Sequence, residues 1–346
     1  MSKKVVAVLA EMAFLKGIVG SNPTVAWLEE YFSNDNVTYI MRGNEPDKDG
    51  VINLPSSKGT IDYLKNYLFN RNYRSAAKTK ANKIRTDISN ADLVWVRAPS
   101  LVPMLIAQIW KKEVQNKLNV HICANRMTWS YLKEVPSLIN VVRFIYGAIL
   151  KVCFKRLESK GVKFYFTGKQ VGDNFGIKNG TYLIDYLTGS LIESEFNFEM
   201  IALGRTTKFA NNKEMFRFAQ AIGSPIDIYG PGEALNKNFS GIYNTKGVVP
   251  PSKIQAVLSN YNTLICISFE YYEGFPRVIA EAIQQNLWVV VTKKCVFFND
   301  IKDYPKIIIS ESIINEQDYL STINQVVNNK RLDQFKALIC ARSLLK

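Results

Sequence analysis

Short apolar runs alternate along the chain with longer segments in which apolar residues recur every three or four positions. Residues 5–9 (VVAVL), 37–41, 93–96, 120–123 and 163–167 make the first set of runs. Each is too short for a helix and carries apolar residues at consecutive positions, so each reads as a strand buried on both faces. Residues 23–33, 61–70, 102–112 and 138–158 show the helical period between them. A second set follows, with strands at 199–203, 226–229, 264–267, 287–292 and 306–310 and helices at 212–222, 252–259, 277–285 and 316–329. Strands alternating with helices predict α/β architecture, mainly parallel sheets with helices on both faces. Two such sets in 346 residues predict two doubly wound domains, 1–190 and 191–330, joined around 188–196. A helical stretch, 331–346, follows and is expected to pack back on the first domain. No internal repeat is present.

Composition narrows the class. The chain is 47 % apolar and 21 % charged, an ordinary globular balance that argues against disorder. Five cysteines stand singly, at 123, 153, 266, 295 and 340, which argues for a reducing compartment and against a disulfide scaffold. One histidine, His121, removes zinc motifs of the H-E-x-x-H kind and leaves any Ser-His or Cys-His mechanism dependent on that residue. The net charge is +14, and it is uneven: residues 1–190 hold 27 basic and 15 acidic side chains, residues 191–346 hold 17 and 15. A positive first half attracts phosphates, anionic lipid or nucleic acid.

Three segments bear on that choice. Residues 58–85 interleave Tyr63, Tyr67, Phe69 and Tyr73 with arginines and lysines, but no nucleic-acid recognition motif accompanies them. They read as a helical insertion with a solvated basic face, and nucleic acid is not the expected partner. Residues 138–157 set Arg143, Lys151, Lys155 and Arg156 among large apolar side chains, the pattern either of a core helix or of one lying in a membrane interface. The N-terminus imitates a secretory signal, but Glu11 ends the apolar run, so it reads as a first strand. No apolar run reaches the ~20 residues that span a bilayer.

The chemistry concentrates in the second half. The strand 199–203 runs into Gly204-Arg205-Thr206-Thr207-Lys208. Basic residues at a strand end before a helix form a phosphate-binding arrangement, because helix N-terminal amides and cations both favour an anion. The strand 226–229 runs into Gly230-Pro231-Gly232, where the backbone can approach a ligand closely. The strand 264–267 runs into Ser268, Glu273, Gly274, Phe275 and Pro276, and Pro276 suits the start of the helix that carries Glu281. The amides of Gly274, Phe275 and Arg277 are then expected to face an anion at the C-terminal edge of the sheet, where doubly wound sheets bind ligands. Eight residues separate Glu273 from Glu281, about 12 Å of helical rise, so the pair suits the two ends of one elongated ligand rather than a hydrolytic acid/base pair.

This ordered set resembles the retaining GT-B glycosyltransferases of the family 4 type: Gly204-Arg205, Gly230-x-Gly232, Lys246-Gly247-Val248, Ser268, the E-G-F-P-x-V-x-x-E-A stretch from Glu273 to Ala282, and Val289–Thr292. The likeness covers most of residues 196–325; the first half shares only architecture and a glycine-bearing first loop, Gly17-Ile-Val-Gly20. The resemblance implies two Rossmann-like domains facing a cleft, with a nucleoside-diphosphate sugar on the second. It implies that Glu273 contacts the sugar hydroxyls, that Glu281 holds the ribose, and that Arg205 with a nearby lysine neutralises the diphosphate. Gly204, Gly230, Ser268 and the Gly274–Pro276 backbone would line the donor, with Val248 beside the base. The acceptor would lie on the first domain near Gly17 and Gly20, with Asn125 and Arg126 as further polar contacts there. Basic side chains would stabilise the leaving diphosphate, so neither a metal nor another cofactor is expected.

The family's usual lysine, five residues after the arginine, is Ala210 here; Lys208 or Lys213 would replace it, and Lys208 is nearer the strand end. His121 sits inside a strand and reads as structural, and Arg97 stands at the end of another. The D-x-D at Asp47–Asp49 lies among Pro and Gly and reads as a turn rather than a metal site. The resulting expectation is a cytoplasmic hexosyltransferase, peripheral on the inner face of the membrane. Its acceptor would be a glycan or lipid-linked glycan of lipopolysaccharide, O-antigen or capsule synthesis. The alternatives are a nucleotide-sugar epimerase on the same fold and a non-catalytic basic binding protein.

Overall fold

The computed structural model of the chain describes residues 2–12, 23–42, 50–54, 69–99, 114, 116–123, 132–133, 136–185, 198–203, 212–230, 241–267 and 274–343. The first domain contains β1 (Lys4–Met12), α1 (Pro23–Tyr31), β2 (Asn36–Arg42), β3 (Val51–Leu54), α2 (Arg71–Asn90), β4 (Leu93–Ala98), β5 (Leu118–Ile122), α3 (Leu138–Glu158), β6 (Lys163–Phe166), α4 (Lys169–Phe175) and β7 (Gly180–Tyr182). Its seven strands pair in the order β3-β2-β1-β4-β5-β6-β7, every pair parallel. The second domain contains β8 (Phe198–Leu203), α5 (Asn212–Ile222), β9 (Ile226–Tyr229), β10 (Tyr243–Gly247), α6 (Ile254–Leu258), β11 (Tyr261–Ile265), α7 (Arg277–Gln284), β12 (Trp288–Val291), α8 (Phe298–Ile301), β13 (Ile307–Ile309), α9 (Glu316–Ile323) and α10 (Asn329–Ser343). Its six strands pair in the order β10-β9-β8-β11-β12-β13, again all parallel.

The consecutive apolar residues of the central strands are explained by burial on both faces. In the first domain Val6, Val8, Val94, Val96, Val120 and Ile122 point to one side, against Ile84 and Ile88 of α2 and Leu150 and Phe154 of α3. Their neighbours Val5, Ala7, Leu9 and Trp95 point to the other, against Trp27 and Leu28 of α1. Alternate residues of a strand face opposite ways, so a strand covered by helices on both sides must be apolar throughout. The second sheet repeats this. Ile201, Leu264 and Val289 pack against Ile279 and Ile283 of α7. Met200, Ala202, Ile228 and Val290 pack against Phe218 and Ala219 of α5.

Several elements differ from the pattern reading. The edge strands β3, β7 and β10 have only three to five residues each, too few to show a period; most of β10, YNTKG, is exposed. β11 begins three residues earlier than residue 264, because Tyr261 is buried and its hydroxyl donates to Asp227 (2.7 Å). The helix expected over 316–329 ends earlier, as α9, at Ile323, and the helical stretch expected from 331 begins at Asn329 as α10. α10 packs Leu332, Phe335 and Ile339 into the second domain's core, and its Arg342 carbonyl accepts from the Ile184 amide (2.8 Å). The helices expected at 61–70 and 102–112 lie outside the described residues apart from Phe69 and Asn70. The described part of the basic segment 58–85 falls largely in α2, which buries Ile84 and Ile88 and exposes Lys78, Lys83 and Arg85.

Candidate functional site

Both sheets reverse strand order next to their first strand: between β1 and β4 in the first domain, and between β8 and β11 in the second. At such a switch point the connections leave to opposite faces and open a crevice beyond the strands' C-terminal ends. The segments with the sequence signals follow these ends directly. Gly17 and Gly20 follow β1, Asn125 and Arg126 follow β5, Gly204, Arg205 and Lys208 follow β8, and Ser268 and Glu273 follow β11. All of these lie outside the described residues, as do Lys213's side chain and the D-x-D of the 43–49 loop.

The residues expected to line the donor that lie within the described chain stand at or beyond the C-terminal ends of β9, β10 and β11. Gly230 ends β9, and its amide donates to the Gly247 carbonyl at the end of β10 (2.8 Å), which sets Gly230 beside the exposed Val248. Gly247 has φ +86°, a backbone region that favours glycine. Pro276 is the N-cap of α7, and no side chain caps that terminus. The Ile279 amide donates to the Pro276 carbonyl (3.0 Å), and the N-terminal end of the helix, the positive end of its dipole, favours an anion. Phe275 is buried against Phe297 in the core (ring centroids 6.2 Å apart), so any ligand contact from it comes from the backbone.

Glu281 lies one turn into α7 and is buried, with Arg277 Nε 3.3 Å from its carboxylate. Burial pushes the Glu281 carboxyl up, and Arg277 offsets part of that. A ribose placed on this carboxylate would share it with the guanidinium.

The first domain closes on this turn. A Cβ added to Gly274 would lie 2.0 Å from Thr167 Oγ1 and 3.3 Å from the Cys123 carbonyl oxygen. A Cβ added to Gly168, the N-cap of α4, would lie 3.2 Å from Asp300 Oδ2 and 3.6 Å from the Gly274 carbonyl oxygen. The glycines are therefore what lets the two backbones meet. Thr167 Oγ1 is buried at this seam with no hydrogen-bond partner. Beside it, the Tyr182 hydroxyl donates to Asp300 Oδ1, Arg342 stacks over the Tyr182 ring (4.9 Å), and the Arg342 carbonyl accepts from the Ile184 amide (2.8 Å). Burial pushes the Asp300 carboxyl up, against the opposing effect of hydrogen bonds from Tyr182 and the Lys169 amide and of the Arg342 charge.

A buried charge cluster completes the seam. Asp185, just past β7, forms an ion pair with Arg97 of β4. Burial pushes the Asp185 carboxyl up, but Arg97, His121 and Arg277 outweigh it and hold it below the usual carboxylate range. His121 is fully buried between Trp27 and Trp95 (ring centroids 5.6 and 5.4 Å), with Nε2 3.1 Å from the Leu183 carbonyl oxygen and 3.7 Å from Asp185. Burial lowers its pKa to about 4, so the imidazole is neutral at pH 7 and Nε2–H donates to Leu183. His121, Cys123 and Asp185 are the one trio of possible metal ligands among the described residues, with ligand atoms within 4.8 Å of one another. The Arg97 guanidinium already supplies positive charge at that carboxylate.

Sequence reasoning did not find Thr167, Tyr182, Asp185, Asp300 or Arg342. Asp185 had a usable signal, a lone carboxylate directly after the apolar pair Leu183-Ile184; the others carry none. They are functional candidates only because the two domains meet where they stand.

No protein-family model matches the sequence, and no curated protein matches it. Solved structures do. Sucrose-phosphate synthase from Thermosynechococcus elongatus superposes with a TM-score of 0.64 at 12 % identity, over 99 % of this chain and 95 % of that one. HepE from Anabaena, solved with UDP and glucose, gives 0.59 at 11 % identity, over 99 % and 96 %. WaaG, a glycosyltransferase involved in lipopolysaccharide biosynthesis, gives 0.56 at 11 % identity, over 98 % and 94 %. At these identities the likeness is one of fold, and the fold of this chain is that of the GT-B glycosyltransferases, two parallel-sheet α/β domains.

Proposed function

We propose that the chain is a retaining glycosyltransferase. It moves a hexose or related sugar from a nucleoside diphosphate to an acceptor hydroxyl, without a metal or other cofactor. The observation that carries this reading is the Gly274–Glu281 turn and helix. It follows β11 at the switch point of the second sheet, starts a helix whose first amides have no side-chain cap, and is met by the first domain at Thr167 and Gly168. In this reading the donor diphosphate lies over the α7 N-terminus, and Arg205 and Lys208 neutralise its growing charge. Gly204 and Ser268 line it, Glu273 binds the sugar hydroxyls, and Glu281 the ribose. Gly230 and Val248 flank the base. Fixed cations and helix amides stabilise a leaving diphosphate more than the bound donor; removing one such group costs roughly 10²–10³ in rate. A front-face displacement, in which the leaving phosphate takes the acceptor proton, needs no side-chain nucleophile.

The acceptor, in this reading, is a lipid-linked glycan of cell-surface polysaccharide synthesis, reached from the first domain near Gly17, Gly20, Asn125 and Arg126. The positive first half and the lipopolysaccharide role of WaaG support that choice. The enzyme then works in the cytoplasm, at the inner face of the membrane.

A donor screen tests the reading. UDP-, GDP-, ADP- and CMP-sugars are compared by thermal shift on the intact chain and on Glu281→Gln, which keeps the buried volume and a hydrogen-bonding group beside Arg277. One nucleotide class at about a hundredfold excess over its Kd is expected to stabilise the protein by about 2.7 kcal/mol. The variant is expected to lose most of that shift. No shift with any donor would refute the reading, and conversion of the donor sugar without an acceptor would make the protein an epimerase.

A further inference from the structure

The helix α3 has two apolar faces, and the fold uses one. Asn140, Gly147, Leu150 and Phe154 are buried, and Leu150 and Phe154 belong to the first domain's core. On the opposite side Leu138 is 83 % exposed, Val142, Ile145, Ile149 and Val152 are each more than half exposed, and Val141 is 39 % exposed. At 100° per residue these six side chains fall within an arc of about 100°, a continuous stripe about 20 Å long. The other exposed large apolar side chains among the described residues, such as Phe69, Ile314 and Val326, lie on separate segments. A contiguous patch of this kind on an otherwise polar surface marks an interaction site.

Charge identifies the partner. Arg156 is exposed in line with the stripe at its C-terminal end and Lys155 is exposed along one flank, while Lys151, also exposed, lies further round toward the buried face. Glu158, the helix's one acidic residue, is engaged instead by the amides of Lys178 and Asn179 (2.8 and 2.6 Å). An apolar stripe rimmed by cations, on a half-molecule with 27 basic and 15 acidic residues, fits an anionic lipid surface. The helix lies on that surface and does not cross it. Its inner face is committed to the core, and no helix among the described residues is long and apolar enough to span a bilayer.

We infer that the outer face of α3 is a membrane-docking surface that inserts Leu138, Val142, Ile145 and Ile149 among the acyl chains of an anionic bilayer while Lys155 and Arg156 meet its headgroups. β5 and β6 run parallel, so the helix between them runs back against the strands, and its Leu138 end lies at the C-terminal, cleft-side edge of the sheet. Docking therefore holds the cleft mouth next to the bilayer, where a lipid-linked acceptor presents its sugar. That last consequence rests on the glycosyltransferase reading; the docking itself does not.

Vesicle flotation with the full chain tests it, using phosphatidylcholine alone and phosphatidylcholine with about 30 mol % phosphatidylglycerol. Binding is expected only to the anionic vesicles and is expected to weaken as salt rises from about 0.1 to 0.5 M. The double substitution I145E/I149E changes only exposed positions and is expected to lower the partition coefficient about tenfold or more, with unchanged thermal stability. The variant I149W is expected to shift its emission to the blue on anionic vesicles and to be quenched by brominated lipid. Absence of binding to anionic vesicles would overturn the inference, as would binding that I145E/I149E leaves intact. Lipid-free self-association abolished by the same substitutions would overturn it too, by showing the stripe to be a contact between copies. Failure here with a positive donor screen removes the docking surface and leaves the transferase standing.

Discussion

Gly274 has no room for a side chain, because a Cβ there would sit 2.0 Å from Thr167 Oγ1 on the other domain. Gly274→Ala is expected to push the domains apart at this point, costing about 1–3 kcal/mol of stability. In the proposed transferase it should also lower kcat/KM, which steady-state kinetics beside a melting curve would show. His121 makes a second prediction at this scale. Its folded pKa of about 4 lies below its ordinary 6.5, so the unfolded chain takes up the proton first as pH falls. The stability that depends on neutral His121 is complete above pH 6.5 and is lost as pH falls from about 6.5 to about 4, about 3 kcal/mol in all. Denaturant titrations across that window should show the slope in the native protein and a reduced one in His121→Phe. His121 was legible as structural from its place inside a strand; its partners Trp27, Trp95 and Leu183 were not, since they come from distant segments.

At the scale of elements, β10 is a polar edge strand held by one buried carboxylate. Asp227 of β9 accepts from Asn244 Nδ2 (2.9 Å) and the Tyr261 hydroxyl (2.7 Å), and Lys246 Nζ lies 3.3 Å away. Asp227→Ala removes the acceptor shared by Asn244 and the buried Tyr261 hydroxyl, which keeps only the longer contact to the Tyr229 hydroxyl (3.3 Å), and is expected to cost about 2 kcal/mol. Amide exchange should rise most over residues 243–247, the strand that presents Val248 to the proposed base site. The pattern of the sequence located β1, β2, β4, β9 and α5 closely, because each carries enough apolar residues at the right period to fix its type. It passed over β3, β7 and β10, which are edge strands of three to five residues, too short for a periodic pattern to mark them.

For the whole molecule, the seam among the described residues includes Thr167 and Gly168 against Gly274, Tyr182 on Asp300, Arg342 over Tyr182 and the Ile184 amide on the Arg342 carbonyl. Tyr182→Phe removes the hydrogen bond to a buried carboxylate and is expected to cost about 1.5–3 kcal/mol of domain docking. Small-angle scattering should then show a larger radius of gyration, while each domain keeps its own secondary structure by circular dichroism. The charge asymmetry belongs to this scale as well, because the positive first half acts as a field around one face and not through any single residue.

The sequence by itself determined the class of architecture and, in the proposed reading, the strand ends that would carry the chemistry. Runs of consecutive apolar residues can be stable only as strands covered on both faces, so two parallel sheets in tandem follow from pattern alone. The strand ends that carry Gly204, Gly230 and Gly274 follow with them. The tertiary structure alone decided how the edges of those sheets meet. It put Thr167 under Gly274, Asp185 between Arg97 and the field of Arg277, and Tyr182 on Asp300. It also settled which face of α3 packs inward and which is left bare. Those facts depend on contacts between residues far apart in the chain, where no local period or spacing constrains which side chains will face one another.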